Sequence, residues 1–466
     1  MQELNKDLDQ FRIITEALLN DETENPVSEL IPADKLFEEM DLSLQEEGIS
    51  DDKFYNSLTD LVLKTPKTAS AHFFNQLFGG RQSKAVLGDL LAVILNNSMY
   101  TYKVAGPQVG IEKEIIKQVV EKIGYPSKSS GTIAAGGSMN NFMALIMARD
   151  HFDSDIKQNG VRKSLIAYSS KDSHYSNAKN AAFAGIGKDN VKYVATNKAG
   201  QIIPSEFEKA ILEDLSNGNR PFFLNATAAT TVYGAYDPIN ELADICEKYK
   251  IWLHVDGAYG GAVLFSEKYK HLISGVERSN SFAFNAHKML GTPLSCSILL
   301  VKDKQNLDYS FSNDATYLYQ THDDDFNPGK TSFQCGRRND ALKLWTLWKS
   351  VGSRGLEKIV DHQFALADFA REYVTNNPDY QVYGPGDSVS VCFNYKGIDP
   401  KIICSKLYED RELVVGYGEF DGVEFIRFVT INANNSEKEI LNFFSVLESY
   451  VEEKQDLFLT RAGKTE

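Results

Sequence analysis

From about residue 112 onwards the chain alternates short β-rich runs with helical stretches, and this alternation constrains the fold more than any other feature. The runs are KSLIAYSS, VKYVAT, PFFLNATA, IWLHVDGA and SFAFNAH. Most are bounded by turn residues, and helical stretches such as NNFMALIMARDHF and NELADICEKYK lie between several of them. Such alternation predicts an α/β fold whose mostly parallel central sheet is covered by helices on both faces.

The regions on either side of this alternation have a different pattern. The first 65 residues predict helices separated by polar breaks, and KAVLGDLLAVILNNSMY predicts a further helix. After about residue 350, QVYGPGDSVSVCFNYKG and EFIRFVTINA predict antiparallel strands, with helices at 400–409 and 435–453. We therefore expect three parts: an N-terminal helical dimerisation segment (1–65), a large cofactor-binding domain (66–348) and a C-terminal small α+β domain (349–466).

Composition excludes several classes of function. The formal net charge of −15 argues against a nucleic-acid or anionic-membrane partner, since both need basic patches. We expect neither a transmembrane helix nor a secretory signal, because no long apolar run and no basic leader is present. The five cysteines are scattered without a CxxC pair, which argues against a zinc site and favours a reducing cytoplasm. No metal site is expected.

Polar residues follow the ends of several predicted strands. His174 follows the first of these strands, Asn225 lies near the end of another, Asp256 ends a third, and Lys288 follows the last. Ligands of such sheets bind beyond the carboxyl ends of the strands. One polar residue there is ordinary turn chemistry, whereas four that converge on one crevice indicate a site.

Asp256 and Lys288 carry the strongest chemical implication. Asp256 either caps a turn or places a carboxylate beneath a planar cofactor. A carboxylate that faces a pyridine nitrogen keeps it protonated, so that the ring can withdraw electrons. Lys288 is either a solvated surface lysine or a partly desolvated amine with a lowered pKa, and the latter is nucleophilic.

AAGGSMNN precedes a predicted helix and carries a weaker signal. Glycines that open a helix, together with Ser138, predict an anion site built from backbone N–H groups and the helix dipole. The alternative is an ordinary helix cap. His174, in DSHYSNA, either lies flat on a ring or is a structural histidine.

In this order of anion cradle, histidine, aspartate and lysine, the chain resembles the group II pyridoxal-phosphate decarboxylases, the family of glutamate, cysteine-sulfinate and aromatic amino-acid decarboxylases. The resemblance covers roughly residues 65–450. It rests on HFFNQLFGG, GGSMNN, DSHYS, ATAATTVYGAYDPI, HVDGAYGGAVLFS, NAHKML and QCGRRNDALKLWTLWKSVGSRGLE. It implies the cofactor pyridoxal 5'-phosphate (PLP), the PLP-dependent transferase (aspartate aminotransferase type I) fold, and a homodimer with shared active sites.

The resemblance also implies roles for individual residues. Lys288 is expected to bind the cofactor covalently, Asp256 to pair with its pyridine nitrogen, and His174 to stack on its ring and help move protons; these three are the expected catalytic residues. The expected cofactor contacts are Gly137, Ser138, His174, Thr230, Asp256, Ala258, Asn285, His287 and Lys288.

Four further positions concern the substrate. By resemblance to the glutamate-type enzymes, Arg427 binds the distal acid group of the substrate and Gln76 is its hydrogen-bonding partner. Phe78 and Ser98 resemble the cysteine-sulfinate and aspartate decarboxylases, and a phenyl ring at 78 shortens the pocket. We therefore expect a short acidic amino acid, with aspartate giving β-alanine or cysteine sulfinate giving hypotaurine. Glutamate decarboxylation to 4-aminobutanoate and 2,4-diaminobutyrate decarboxylation remain as alternatives.

The residue that protonates the substrate carbon stays open. Relatives usually place a tyrosine in a mobile loop before QCGR, but residues 320–334 contain none and Phe326 stands about where it is expected. Either Tyr317, Tyr319 or His322 takes this role, or protonation is less well directed and transamination or aldehyde formation competes. An inactive binding protein is a rival of a different class, and the complete catalytic set argues against it.

Overall fold

The computed structural model describes residues 2–312 and 324–459. The helices of these residues are α1 (Gln2–Glu24), α2 (Leu36–Glu39), α3 (Asp51–Lys64), α4 (Ser83–Leu95), α5 (Tyr102–Ala105), α6 (Gln108–Ile123), α7 (Gly137–Phe152), α8 (Ile156–Asn159), α9 (Ser176–Phe183), α10 (Pro204–Ser216), α11 (Ile239–Tyr249), α12 (Lys304–Phe311), α13 (Ala341–Asn376), α14 (Pro400–Glu409), α15 (Glu437–Glu453) and α16 (Gln455–Leu459). The strands are β1 (Ser130–Ala134), β2 (Leu165–Ser170), β3 (Val191–Val194), β4 (Arg220–Thr227), β5 (Trp252–Gly257), β6 (Ser281–Asn285), β7 (Ser297–Val301), β8 (Tyr380–Tyr383), β9 (Ser390–Tyr395), β10 (Gly416–Phe420) and β11 (Val423–Val429).

Seven strands form the central sheet in the order β1-β7-β6-β5-β4-β2-β3. The pairs from β6 through β5, β4 and β2 to β3 are parallel, and β7 is antiparallel to both β6 and β1. The expected α/β fold with a mostly parallel sheet is therefore confirmed. Because the parallel strands run in one direction, their carboxyl ends meet at one edge of the sheet.

Both faces of this sheet are buried. Ile166 and Tyr168 belong to one apolar core, with residues from α6, α10, α11 and α13. Leu165 and Ala167 belong to a second core on the opposite face, with residues from α7, α9 and α12. Successive side chains of a strand point to opposite faces, so a strand buried on both sides needs an uninterrupted apolar sequence. This explains why these strands read as short continuous runs.

The C-terminal lobe has its own sheet and its own core. Its four strands are antiparallel in the order β10-β11-β9-β8, and residues of α13, α14 and α15 complete the core. The predicted C-terminal helices and strands are confirmed. Helix α13 connects the two lobes and changes direction at Gly352, whose φ of 69° is in the left-handed region that glycine tolerates. The predicted boundary at 348/349 therefore lies inside a helix, four residues before this kink.

The chain before the central sheet joins the C-terminal lobe. Phe74 donates its backbone N–H to the carbonyl of Val414 at 2.8 Å and accepts a hydrogen bond from the N–H of Val429 at 3.1 Å. These bonds place residues 73–78 beside β11, next to Arg427. Among the described residues, no helix is long and apolar enough to cross a membrane.

Candidate active site

The carboxyl ends of β4, β5 and β6 bring together the residues that the sequence singled out. Asp256 lies opposite Thr227 on β4 and Ala283 on β6. The N–H of Ala228, directly after β4, donates to the carbonyl of Asp256 at 2.8 Å, and in the turn directly after β6 the N–H of Lys288 donates to the carbonyl of Asn285 at 3.1 Å. Asp256 and Lys288 thus lie at the same edge of the sheet, close enough for the charge of Asp256 to act on Lys288.

Lys288 has the surroundings of a reactive amine. Its side chain is half-buried, and Nζ lies 6.0 Å from the ring centroid of Tyr259. Burial lowers the pKa of Lys288 from its ordinary value, while the negative charge of Asp256 acts in the opposite direction. A lowered pKa leaves more of the amine unprotonated and able to react with an aldehyde.

Asp256 is a buried carboxylate held by two donors. Only 4% of the residue is exposed. Asn141 Nδ2 donates to Oδ2 at 2.7 Å, and the N–H of Ala258 donates to Oδ1 at 3.0 Å. The sequence analysis did not identify Asn141, although it lies in the GGSMNN block that was examined for its glycines and serine.

His174 lies close to both groups. Burial lowers the pKa of His174, Asp256 opposes this effect, and the charge of Lys288 adds to it. The N–H of Ser176 donates to His174 Nδ1 at 3.3 Å, and Ser176 Oγ lies 2.8 Å from the same atom. Nδ1 is therefore an acceptor, which leaves the ring proton on Nε2.

Helix α7 begins at the residues for which the sequence predicts an anion cradle. Gly136 precedes this helix with a φ of 149°, a conformation that favours glycine. A Cβ atom at Gly137 would lie 3.0 Å from Asn285 Nδ2 and 3.1 Å from Ala258 Cβ, so these residues meet closely. The exposed Ser138 follows in the first helical turn. Free N–H groups at a helix start bind phosphate well.

His287 completes this end of the crevice. Its Nδ1 accepts the N–H of Cys296 at 2.9 Å, so the proton of the neutral ring lies on Nε2. Burial lowers the pKa of His287 to about 4. A buried lysine that the sequence analysis missed supports this segment from behind: Lys343 Nζ donates to the carbonyl of Ser295 at 3.1 Å and pairs with Asp89 and Asp340.

Several buried oxygen atoms at the strand ends have no hydrogen-bond partner. They are Asn225 Oδ1, Thr227 Oγ1 and Asn285 Oδ1. Buried polar atoms normally have partners, so these atoms indicate a polar ligand in the crevice. A helix start and an imidazole N–H at one end and a buried carboxylate at the other fit a group with a phosphate and a ring nitrogen. The residues present therefore fit PLP.

Thr230, a further expected cofactor contact, takes part in hydrogen bonds of the protein itself. Thr230 is buried, and its hydroxyl accepts the N–H of Ala235 at 3.1 Å. The backbone N–H of Thr230 in turn donates to the carbonyl of Ala235 at 2.9 Å. Thr230 thus stabilises the turn after β4, and its role in lining the ring stays a prediction.

Arg427 lies on β11, between Cys392 and Gly416 on the neighbouring strands. Its Nη1 donates to the carbonyl of Thr231 at 3.1 Å, and Nη2 donates to that of Asn75 at 2.6 Å. Thr231 lies in the loop after β4 and Asn75 in the segment beside β11, so the guanidinium is fixed where three segments meet. Burial lowers the pKa of Arg427.

The other predicted substrate residues, Gln76, Phe78 and Ser98, lie on two different segments of the chain. Gln76 is exposed and immediately follows Asn75, whose carbonyl accepts a hydrogen bond from Arg427. Phe78 is half-buried, with its ring centroid 6.5 Å from that of Phe73. Ser98 is held by a different segment, since its Oγ accepts the backbone N–H of Arg337 at 3.2 Å.

The predicted catalytic loop is described only in part. Tyr317, Tyr319 and His322 lie outside the described residues. Phe326 packs edge-on against Tyr102, with ring centroids 5.7 Å apart, and Lys113 Nζ lies 4.7 Å from its centroid. The identity of the proton donor stays open.

The fold and the site together define a PLP-dependent enzyme of the aspartate aminotransferase type I fold. When bound, PLP supplies a conjugated pyridinium ring that accepts the electron pair released when a bond at the substrate α-carbon breaks. Asp256 would hold the proton on the ring nitrogen, the start of α7 and His287 Nε2–H would bind the phosphate, and Lys288 would supply the amine for the aldehyde.

Comparison with known proteins identifies the family. The family model described as pyridoxal-dependent decarboxylase conserved domain matches residues 34–396. The chain belongs to this family and is a PLP-dependent amino-acid decarboxylase, a carboxy-lyase. It shares 37% identity over 388 residues with cysteine sulfinic acid decarboxylase of Mus musculus, covering 82% of this chain and 78% of that protein.

Two further comparisons agree. The chain is 34% identical over 460 residues to the acidic amino acid decarboxylase GADL1 of Bos taurus, covering 93% of this chain and 88% of that protein. The crystal structure of mouse CSAD superimposes with a TM-score of 0.91 at 32% identity, covering 95% of this chain and 97% of that chain. The predicted family, fold, cofactor and reaction class are confirmed.

Proposed function

We propose that this decarboxylase acts on a short acidic L-amino acid, converting aspartate to β-alanine or cysteine sulfinate to hypotaurine. The single observation that carries this proposal is the guanidinium of Arg427. Two relatives support it by their names, since one is a cysteine sulfinic acid decarboxylase and the other an acidic amino acid decarboxylase.

Arg427 has no acidic partner among the residues that the structure describes. Its two hydrogen bonds go to neutral backbone carbonyls, and its buried Nε has no partner. Arg427 is half-buried, and a partly desolvated charge without a counter-ion is costly, so an acid group on a ligand would offset that cost. A guanidinium also binds a carboxylate or sulfinate with two parallel hydrogen bonds, which favours acidic side chains over aromatic ones.

We assign to Phe78 the role of limiting the length of the substrate side chain. A phenyl ring at this position fills space that glutamate needs for its additional methylene group. One methylene discriminates by about 1–3 kcal/mol, so glutamate remains a second substrate rather than an excluded one. 2,4-Diaminobutyrate carries an amine instead of an acid and would place two positive charges together at Arg427.

The test is to identify the products. The holoenzyme is incubated separately with aspartate and with cysteine sulfinate, and CO₂ is measured together with β-alanine or hypotaurine. The matched control is Lys288→Ala, which retains the substrate pocket but lacks the reactive amine. Stoichiometric CO₂ and amine from either substrate supports the proposal; no product from both would refute it.

We also propose that the chain forms a homodimer with shared active sites, in the cytoplasm. Helix α4 packs against α13 through Ala85, Gly88 and Ala92, whereas Leu91 and Ile94 on its other side are 46% and 55% exposed. A row of large apolar side chains on a surface is typical of an interface. All five cysteines are free, in keeping with a reducing compartment.

Sedimentation of the purified protein tests the dimer. Leu91→Glu should lower the measured mass towards that of one chain. The control is Leu212→Glu, which changes an equally exposed leucine on α10 and should leave the mass unaltered. A wild-type protein that sediments as an active monomer would contradict this proposal.

A further inference from the structure

A continuous chain of buried hydrogen bonds runs from the start of β5 to the crevice. Trp252 Nε1 donates to Ser281 Oγ at 2.9 Å, and Ser281 Oγ lies 2.9 Å from His254 Nδ1. His254 Nε2 lies 3.1 Å from Asn141 Oδ1, and Asn141 Nδ2 donates to Asp256. Each of these side chains is at most 4% exposed.

A branch of the same chain reaches the other side of the crevice. Asn141 Nδ2 also donates to Ser176 Oγ at 3.2 Å, and Ser176 Oγ lies 2.8 Å from His174 Nδ1. Ser176 is fully buried. One amide group therefore contacts, directly or through a single hydroxyl, both Asp256 and His174.

The chemistry of the two ends gives this chain one direction. The indole N–H of Trp252 can only donate, so Ser281 Oγ accepts it and keeps its own proton, which is available to His254 Nδ1. A carboxylate can only accept, so the amide nitrogen of Asn141 faces Asp256 and its oxygen faces His254. The Asp256 end thus requires a proton on His254 Nε2, and in a neutral ring Nδ1 is then the acceptor of the Ser281 hydroxyl.

The burial of His254 is consistent with that state. Desolvation lowers the pKa of His254 to about 4, and the charge of Asp256 opposes this effect. The ring is therefore neutral near pH 7 and keeps one donor and one acceptor. A charged imidazolium would carry protons on both nitrogens and would break the order of donors and acceptors.

We propose that Asn141 is a positioning residue that fixes the carboxylate of Asp256 and, through the hydroxyl of Ser176, the position of the His174 ring, and that Trp252, Ser281 and His254 fix the orientation of Asn141. This inference rests on the roles given above to Asp256 and His174. It gives a function to four buried polar residues beneath the crevice, namely Asn141, Trp252, Ser281 and His254. None of the hydrogen bonds described above joins these residues to substrate or cofactor.

The first measurement is the tautomer of the histidines in the wild-type protein. The full chain is labelled with ¹⁵N-histidine, and long-range proton–nitrogen correlation spectra are recorded with and without cofactor near neutral pH. The resonances of His254 are assigned by their loss in His254→Gln. We expect a neutral ring protonated at Nε2 in both forms; a ring protonated at Nδ1, or a charged one, would overturn the proposal.

The second measurement compares neighbouring asparagines. Asn141→Ala should lower kcat by about 10- to 100-fold, the size that loss of an outer hydrogen-bonding partner has at metal sites. KM should change much less, and the ring ¹⁵N resonances of His174 should shift because its partner Ser176 Oγ loses the donor Asn141. Asn140→Ala is the matched control, because Asn140 on the same helix donates to the carbonyl of Ile298. Equal kcat in the two variants, with His174 unaltered, would refute the role of Asn141.

Substitution of His254 separates positioning from folding. The amide of a glutamine places an N–H near the position of Nε2, so His254→Gln should retain most of the activity. His254→Phe preserves the bulk but removes the donor and should resemble Asn141→Ala. If both variants lose the same activity, the N–H is not what His254 contributes. The spectra need no substrate, so they test this inference even if the proposed substrates fail.

Discussion

The cofactor end of the crevice and the surface around Arg427 are built in different ways. At the cofactor end Asp256 is almost completely buried and held by two donors, one of which belongs to a longer chain of hydrogen bonds. Around Arg427 the anchors are two backbone carbonyls, while Gln76 is exposed and Phe78 is half-buried. The groups that every substrate needs are rigidly supported, and those that select a substrate have little support.

This difference implies different consequences of substitution. A change at the cofactor end should remove activity towards all substrates, because it alters groups that act on the reacting atoms. A change around Arg427 should redirect activity from one amino acid to another, because it alters the pocket for the side chain. Kinetics with several substrates can separate these outcomes.

The largest effect is expected for Lys288→Ala. Loss of a residue that reacts covalently should lower kcat by more than about 10⁴-fold for every substrate. Borohydride reduction followed by mass spectrometry should attach the cofactor to the wild-type chain and not to the variant. Attachment to Lys288→Ala protein would show that another lysine reacts.

Asp256→Asn should have the next largest effect. Asparagine has almost the same shape but no charge, so the ring nitrogen is no longer held in its protonated form. Loss of one electrostatic contact of this kind costs about 10²- to 10³-fold in kcat. Cofactor titration should show that much of the binding remains, because the phosphate contacts are unchanged. An unaltered kcat would remove Asp256 from the catalytic residues.

Arg427→Met tests the other side of the comparison. The loss of a buried charge pair should weaken kcat/KM for acidic substrates by at least about 2 kcal/mol, a factor of roughly 30. Covalent attachment of the cofactor should be unaffected. Arg427→Lys is the control for charge alone, and it should recover only part of the loss because an ammonium lacks the planar fork. Equal losses for acidic and neutral amino acids would contradict the assignment.

Phe78→Ser should change preference rather than rate. Removal of the phenyl ring makes room for one methylene group, so the ratio of kcat/KM for glutamate to that for aspartate should rise by about tenfold or more. Phe73→Leu is a suitable control, since Phe73 is buried beside Phe78. A ratio that stays constant would show that another residue sets the length of the pocket.

Acid should lower the free energy of unfolding through two buried histidines at the cofactor end of the crevice. Near neutral pH this contribution should not change. His254 and His287 have pKa values of about 4 in the folded chain, lowered by burial, against about 6.5 when unfolded. The unfolded chain therefore binds more protons between these values, so stability is complete above about pH 6.5 and falls as the pH approaches 4. The loss is up to roughly 3 kcal/mol for each histidine.

Denaturant unfolding across this pH range measures the effect. His254→Gln should flatten the dependence, because a glutamine does not titrate. A free energy of unfolding that depends on pH equally in the variant and the wild type would show that His254 does not contribute.

The sequence predicted those parts of the molecule that local patterns specify. Continuous apolar runs ended by polar residues placed Asp256 and Lys288 correctly at strand ends, because the carboxyl ends of parallel strands meet at one edge. Asn141 could not be found in this way, since its partners His254 and Asp256 lie more than a hundred residues away in the chain. A hydrogen bond to a backbone carbonyl, such as that of Asn75, cannot be predicted from residue types, because every residue has such a carbonyl.

The residues around the substrate were inferred from resemblance rather than from pattern. An arginine on a strand is usually solvated, and nothing within EFIRFVT reveals that Arg427 is held by the loop after β4. Ser98 stays a prediction of the same kind; its hydroxyl oxygen accepts the backbone N–H of Arg337, a contact that the sequence does not reveal. In the sequence, Lys343 is typical of an ordinary helical face. Only the folded structure shows that it is a buried cation.

The most direct test of the proposed function is a comparison of kcat/KM for aspartate, cysteine sulfinate, glutamate, 2,4-diaminobutyrate and DOPA with the same preparation of holoenzyme. We expect aspartate or cysteine sulfinate to rank first, glutamate to follow, and diaminobutyrate and DOPA to be poor substrates. Glutamate in first place would show that Phe78 does not shorten the pocket. DOPA or diaminobutyrate in first place would contradict the central claim, because Arg427 would then not select the substrate.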